Sequence, residues 1–302
     1  MFGPTPPQIP SEQKCHYCGR SLDPQSASCA GCGTSRIPPI IESFSPAANE
    51  KPALNARNAT LILAAFLAGQ FCVAAIVGFV YGFGEAIKGA SGGASSHVEM
   101  SRSFLVPATL FGFVGGGIAM IWLSRSLLKE ALVDATELGA AWVIGRGRDI
   151  AKGLAIGVII AIFFIIPATI LRPQTDEDSL GPLARMAITP GLPQIAWLVM
   201  ALLLAPPLEE MLFRGVLYGG YRRSLGPTRA AWLTTSIFAM LHITEVIHYL
   251  PAIFAIAGMA LLALRMRLRS AAIGPAIAVH FGYNFVIGLE VICSTLFRNG
   301  RG

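Results

Sequence analysis

Seven mostly apolar stretches, each close to the length that crosses a bilayer, follow one another along this chain. They run at about Ala59–Phe83, Phe104–Leu123, Gly153–Leu171, Gln194–Leu217, Ala230–Ile247, Leu250–Leu264 and Ala271–Ile292. The fourth is interrupted by polar residues, and the limits of the fourth to sixth are soft. The segment Ala131–Arg148 mixes charges with Trp142 and reads as an interfacial or re-entrant helix rather than a span. The pattern predicts an all-α polytopic membrane protein with about seven transmembrane helices, eight being the alternative count. No internal repeat is evident.

The first 57 residues break this pattern. They hold nine of the twenty prolines and four of the six cysteines, with no apolar run of spanning length. No basic start followed by an apolar stretch marks a signal peptide. The cysteines form two knuckles, Cys15-His-Tyr-Cys18-Gly and Cys29-Ala-Gly-Cys32-Gly. Each knuckle closes a tight turn that aims two thiolates at one ion, and the glycine after it relieves the turn. A small zinc ribbon is the expected reading, with Zn bound by Cys15, Cys18, Cys29 and Cys32. Two disulfides, a redox pair or a rubredoxin-like iron site are the alternatives. Reduced thiolates place the ribbon in the cytoplasm. Prolines 38, 39, 46 and 52 then keep the connection to the membrane body extended.

Composition agrees with the pattern. Of 302 residues, 54% are hydrophobic and only 13% are Asp, Glu, Lys or Arg, about half the share of a soluble domain. A water-soluble enzyme, a disordered regulator and a nucleic-acid-binding domain are all disfavoured. The net charge of +6 is unevenly placed. With the amino terminus inside, thirteen basic residues fall in inner segments and six in outer ones, and Asp176-Glu177-Asp178 falls outside. That asymmetry agrees with the thiolate argument for a cytoplasmic ribbon.

Ionisable groups within spans cost free energy and are functional candidates by default. Three clusters stand out. The first is Glu209-Glu210-Met-Leu-Phe-Arg214, directly after Pro206-Pro207-Leu. Adjacent carboxylates point about 100° apart on a helix. Glu210 and Arg214, spaced i,i+4, can pair, leaving Glu209 free. A structural salt bridge explains Glu210 and Arg214 but not Glu209. The second cluster is Phe238-Ala-Met-Leu-His242, and the third is His280-Phe-Gly-Tyr-Asn284, with imidazole and amide on one helix face. Alone, either histidine reads as a hydrogen-bonded packing residue. Counted at about 1.5 Å per residue from the inner basic loops, Glu209, His242 and His280 lie about 20, 20 and 16 Å deep. One shared layer points to one polar site.

A carboxylate beside an imidazole can deprotonate a water, and a second imidazole with an amide can stabilise an oxyanion. Two histidines and a carboxylate can equally hold a catalytic metal. A proton or metal transporter, and a non-proteolytic scaffold or immunity-type protein, are readings from other classes. The order E-E-x-x-x-R, F-x-x-x-H, H-x-x-x-N across about Ala151–Val291 resembles the CPBP family, the CAAX protease and bacteriocin-processing proteins, also called type II CAAX prenyl endopeptidases. The resemblance implies an intramembrane endopeptidase in which Glu209 activates water with His242. It further implies that His280 and Asn284 stabilise the oxyanion, with Glu210, Arg214 and Phe238 in support. Whether a metal joins them stays open.

The expected organisation is therefore a zinc ribbon at 1–37, a proline-rich linker at 38–57 and a transmembrane pair with an interfacial segment at 58–150. A protease-like domain at 151–292 and a tail at 293–302 complete it. The expected substrate is a membrane protein or lipidated peptide within the lipid bilayer, with a protein partner for the ribbon and no nucleic acid. The expected location is an integral position in the plasma or inner membrane.

Overall fold

The computed structural model describes residues 54–90, 97–128, 143–171, 181–243 and 251–299, and in the head Ser21 alone. The four ribbon cysteines, most of the linker, the acidic run 176–178 and most of the expected interfacial segment lie outside the described residues. Within the body, eight helices are described: α1 (Ala56–Ala90), α2 (His97–Leu128), α3 (Gly147–Leu171), α4 (Pro182–Ile188), α5 (Leu192–Leu225), α6 (Pro227–Leu241), α7 (Pro251–Ser270) and α8 (Gly274–Asn299). Every described element of the body is helical, as the apolar pattern requires of a chain that must satisfy its own backbone in lipid.

Four of these helices are long and apolar enough to cross a membrane: Ala56–Gly84, Phe104–Leu128, Leu192–Leu225 and Gly274–Phe297. Their outward faces carry bare aromatic rings, among them Phe71, Phe79, Phe111, Trp122 and Phe297. In water such faces would drive association, whereas in lipid they are ordinary solvent-facing positions. The chain is an integral membrane protein with four candidate spans. The helices expected third, fifth and sixth in the membrane are present as α3, α6 and α7, with altered limits. Helix α3 begins six residues before the expected Gly153, and α6 stops at Leu241 rather than running to Ile247. Cys72 and Cys293 lie on exposed helix faces.

Glycines bring two pairs of helices into close backbone contact. Helix α1 lies on α2, where a Cβ added at Gly116 would stand 2.6 Å from the Phe66 carbonyl oxygen. Helix α3 lies on α8, where a Cβ at Gly157 would overlap the Val279 carbonyl, the residue before His280. Glycine at these points lets backbones touch. The core draws mainly on α5, α6, α7 and α8, where Leu212, Leu217, Phe238, Met259 and Val279 are fully buried, and is joined by Ile62 and Phe66 of α1, Met120 of α2 and Ala161 of α3.

Helix α5 is not regular. It runs as α-helix over Leu192–Val199, turns π-helical over Met200–Leu204, returns to α over Ala205–Glu210, turns π-helical again over Met211–Leu217 and ends as α over Tyr218–Leu225. Pro206 and Pro207 lack the N–H that a regular helix needs at those positions. The chain absorbs the defect by widening the turn before them: the Ala205 N–H donates five residues back, to Met200, instead of four. Each extra residue rotates the remainder of the helix by roughly 100°. Glu209 and Glu210 sit in the short regular stretch between the two wide turns.

Candidate active site

Glu210 is fully buried, and its Oε1 takes two partners. Arg214 Nη1 lies 2.9 Å away on the next turn of α5, and His280 Nδ1 reaches it from α8 at 3.0 Å. A carboxylate is acceptor-only, so the imidazole donates from Nδ1. That leaves His280 Nε2 on the far side of the ring, where it faces Glu209 Oε2 at 3.9 Å.

His242 arrives from α6 by a different local device. The helix ends at Leu241, and the backbone N–H of His242 donates to Ala239, three residues back. The Phe238 carbonyl, which a regular helix would have given that N–H, is taken by the ring instead, with Nδ1 at 2.8 Å. Here the side chain caps the end of its own helix. A carbonyl only accepts, so Nδ1 carries a proton. In the neutral ring Nε2 then presents a lone pair, and it stands 4.0 Å from Glu209 Oε2. Both imidazoles thus converge on one oxygen of Glu209, each oriented by a bond from its other nitrogen. Orientation of this kind fixes which nitrogen can accept a proton.

The site is open on one side. The His242 side chain is 30% exposed, whereas those of His280 and Glu210 are 3% and 0%. Glu209 Oε2 is buried and has no hydrogen-bond partner among the described residues. An orphaned buried carboxylate oxygen is expensive unless a ligand or water engages it.

Phe238 ties these groups together. Its ring meets Phe213 edge-on at 5.0 Å, His280 edge-on at 5.7 Å and His242 at a tilt at 4.6 Å. The Arg214 guanidinium carbon lies over its face at 4.5 Å. A cation held over an aromatic face in an apolar interior is stabilised without a second carboxylate. This suits Arg214, whose Nη2 has no hydrogen-bond partner among the described residues.

Asn284, one turn beyond His280 on α8, is turned to the backbone: its Nδ2 donates to the Ala201 carbonyl at 2.7 Å. The geometry therefore gathers Glu209, Glu210, Arg214, Phe238, His242 and His280 into one cluster, and ties Asn284 to the first wide turn of α5.

Residues 191–286 match the family model described as Type II CAAX prenyl endopeptidase Rce1-like. The match spans just under a third of the 302 residues and contains every member of the cluster. This segment of the chain is similar to an Rce1-like CAAX endopeptidase domain, and that family implies a peptidase. No curated protein and no solved structure matches the chain. The match begins at Gly191, so α3, which packs on α8, falls outside it although the sequence resemblance begins near Ala151.

Within the CAAX-endopeptidase-like segment, the metal alternative can be tested on spacing. Ligands of a tetrahedral zinc at about 2.0–2.2 Å stand roughly 3.4 Å apart. The separations here are 3.9 and 4.0 Å, midway between that value and the roughly 4.5 Å spanned by two hydrogen-bond partners of one water. Among the described residues, no group of three or more His, Cys, Asp or Glu is arranged to hold a metal ion.

Among the described residues, Asp149 and Arg267 are buried charged groups that the sequence motifs do not contain. Arg267, which the charge pattern assigns to an inner loop, is buried at the end of α7. Its Nε has no hydrogen-bond partner among the described residues, and Arg222, Tyr218 and Glu210 are its titratable neighbours. Arginines 265, 267 and 269 look alike as a basic run; helical rotation alone turns the middle one inward.

Proposed function

We propose that the chain is an intramembrane endopeptidase of the type II CAAX prenyl kind, hydrolysing a peptide bond with a water activated at Glu209. The observation that carries this reading is the convergence of two oriented imidazole nitrogens on one buried, orphaned carboxylate oxygen. A water between Glu209 and the lone pair of His242 can lose a proton to them as it attacks the scissile carbonyl. The C–N bond then breaks as that proton passes to the leaving amine. The second Nδ2 hydrogen of Asn284 supplies a donor for the oxyanion, and His280 Nε2 supplies another when the ring, paired with the Glu210 carboxylate, is in its doubly protonated form. Arg214 and Phe238 hold Glu210 and the two rings in place.

In this reading the substrate is a membrane protein or lipidated peptide presented from the bilayer, cut near the cytoplasmic half. The head is a cytoplasmic zinc ribbon, with Zn on Cys15, Cys18, Cys29 and Cys32, that recruits a protein partner.

The deciding experiment uses the full chain in lipid nanodiscs with a fluorogenic farnesylated peptide ending in a CAAX box. Glu209→Gln and His242→Ala are each expected to lower hydrolysis by about 10²–10⁴-fold at an unchanged thermal midpoint. Parent-like turnover by Glu209→Gln would overturn the assignment. Metal analysis runs in parallel. Cys15→Ser with Cys29→Ser should remove one zinc, and a second metal lost with His242→Ala would replace the water reading with a metallopeptidase.

A further inference from the structure

In a regular helix the Ala201 carbonyl would accept the N–H of residue 205, and in a π turn that of residue 206. Neither is on offer. The Ala205 N–H is given to Met200, and residue 206 is proline. A buried carbonyl deprived of its helical donor needs one from elsewhere. Asn284 provides it from α8, with Nδ2 at 2.7 Å. One turn earlier on the same face of α8, His280 Nδ1 bonds Glu210. These two bonds attach α8 to α5 at points on either side of the proline pair.

A helix seated on another by one contact can still rotate about it, and two contacts fix the rotation. What is fixed here is the short regular stretch carrying Glu209. Its direction is set by how far the preceding wide turn has rotated the chain.

We propose that Asn284 is a positioning residue as well as an oxyanion donor: its amide replaces the helical hydrogen bond that Pro206 removes at Ala201, and so holds the register that points Glu209 at His242 and His280. The two hydrogens on Nδ2 make the roles compatible, because one meets the carbonyl and the other is left for substrate. The positioning role deepens the peptidase reading and rests on it for its effect on turnover. The contact with Ala201 stands without it.

The test restores the missing donor at its source. Pro206→Ala places an N–H five residues after Ala201, where a π turn can use it. Asn284→Ala, Pro206→Ala and the double variant are compared with the parent chain in nanodiscs, reading kcat on the farnesylated CAAX peptide and the thermal midpoint. The expected result is that Pro206→Ala, introduced into Asn284→Ala, raises kcat on the order of tenfold and recovers part of the lost midpoint, a non-additive cycle. A pure oxyanion donor loses about 10²–10³-fold and regains nothing from position 206, so additive losses in kcat overturn the proposal. Recovery of the midpoint without kcat overturns it too, by assigning the contact to folding alone. If Asn284→Ala does not fold, Asn284→Asp keeps the shape while removing the N–H donors, and the same cycle is read from it. Repeating the midpoint cycle in the Glu209→Gln background separates the two readings. An active Glu209→Gln sinks the peptidase mechanism, whereas an additive midpoint cycle there sinks the Ala201 contact.

Discussion

The α1–α2 pair and the α5–α6–α8 assembly solve the same packing problem with different materials. Between residues 61 and 84, and again between 104 and 124, the first pair contains no Asp, Glu, Lys, Arg or His. Its helices meet through glycines, and their outer faces are apolar. The second assembly is broken twice by wide turns in α5 and ended early in α6. It buries two carboxylates, a guanidinium and an imidazole. The difference shows what irregular backbone does in a membrane. A regular helix keeps its polar groups to itself. A helix with a missing donor or an early end exposes carbonyls that recruit polar side chains, and those side chains bring the chemistry.

That comparison can be strained at several points. The largest stability effect is expected at Arg214→Met, which leaves the fully buried Glu210 carboxylate with His280 alone. Removing one partner of a buried pair costs about 3–5 kcal/mol, so the thermal midpoint of the chain in nanodiscs should fall steeply. Adding Glu210→Gln to the same chain should recover much of the loss. Without that recovery, the pair does not bear on stability as described. Next comes Gly116→Leu in the apolar pair. Overpacking costs about 1–3 kcal/mol, and because no catalytic group lies there, turnover per folded molecule should stay at the parent value. A drop in that turnover would show the two regions to be coupled. The smallest effect is expected at their junction. Thr60→Val removes the 3.0 Å hydrogen bond between Thr60 Oγ1 and the Tyr221 hydroxyl, which joins α1 to the end of α5. A loss of about 1 kcal/mol is expected, measured against Tyr221→Phe, and the double variant should cost no more than either alone.

Much of the site was legible in the sequence, for a physical reason. Charge is so costly within a span that Glu209, Glu210, Arg214, His242 and His280 had to be there for a purpose, and their depths along the apolar runs already agreed. The i,i+4 spacing of Glu210 and Arg214 carried directly into an ion pair. What stayed hidden depends on neighbours in space. Pro206 and Pro207 announced a break in α5, but not that it would be taken up as a π turn, because the donating side chain is 83 residues away on α8. Likewise the apolar run through Ile247 concealed the end of α6, since the ring of His242 competes with its own backbone for the Phe238 carbonyl. Arg267 read as one of three loop cations because hydropathy does not register which way a single helix position turns. The zinc ribbon rests on cysteine spacing alone, as its residues lie outside the described ones.

The cap on α6 makes secondary structure and protonation a single variable. While the helix stops at Leu241, the Phe238 carbonyl pins the proton to the outer nitrogen of His242 and leaves the inner one bare. Were the helix to extend by one residue, that carbonyl would return to the backbone, the ring would be released, and the proton would be free to settle on the nitrogen facing Glu209. The tautomer of one imidazole is therefore a spectroscopic gauge of helix length. A nitrogen-15 label on that ring would report, in an idle molecule, which of its two nitrogens holds the proton.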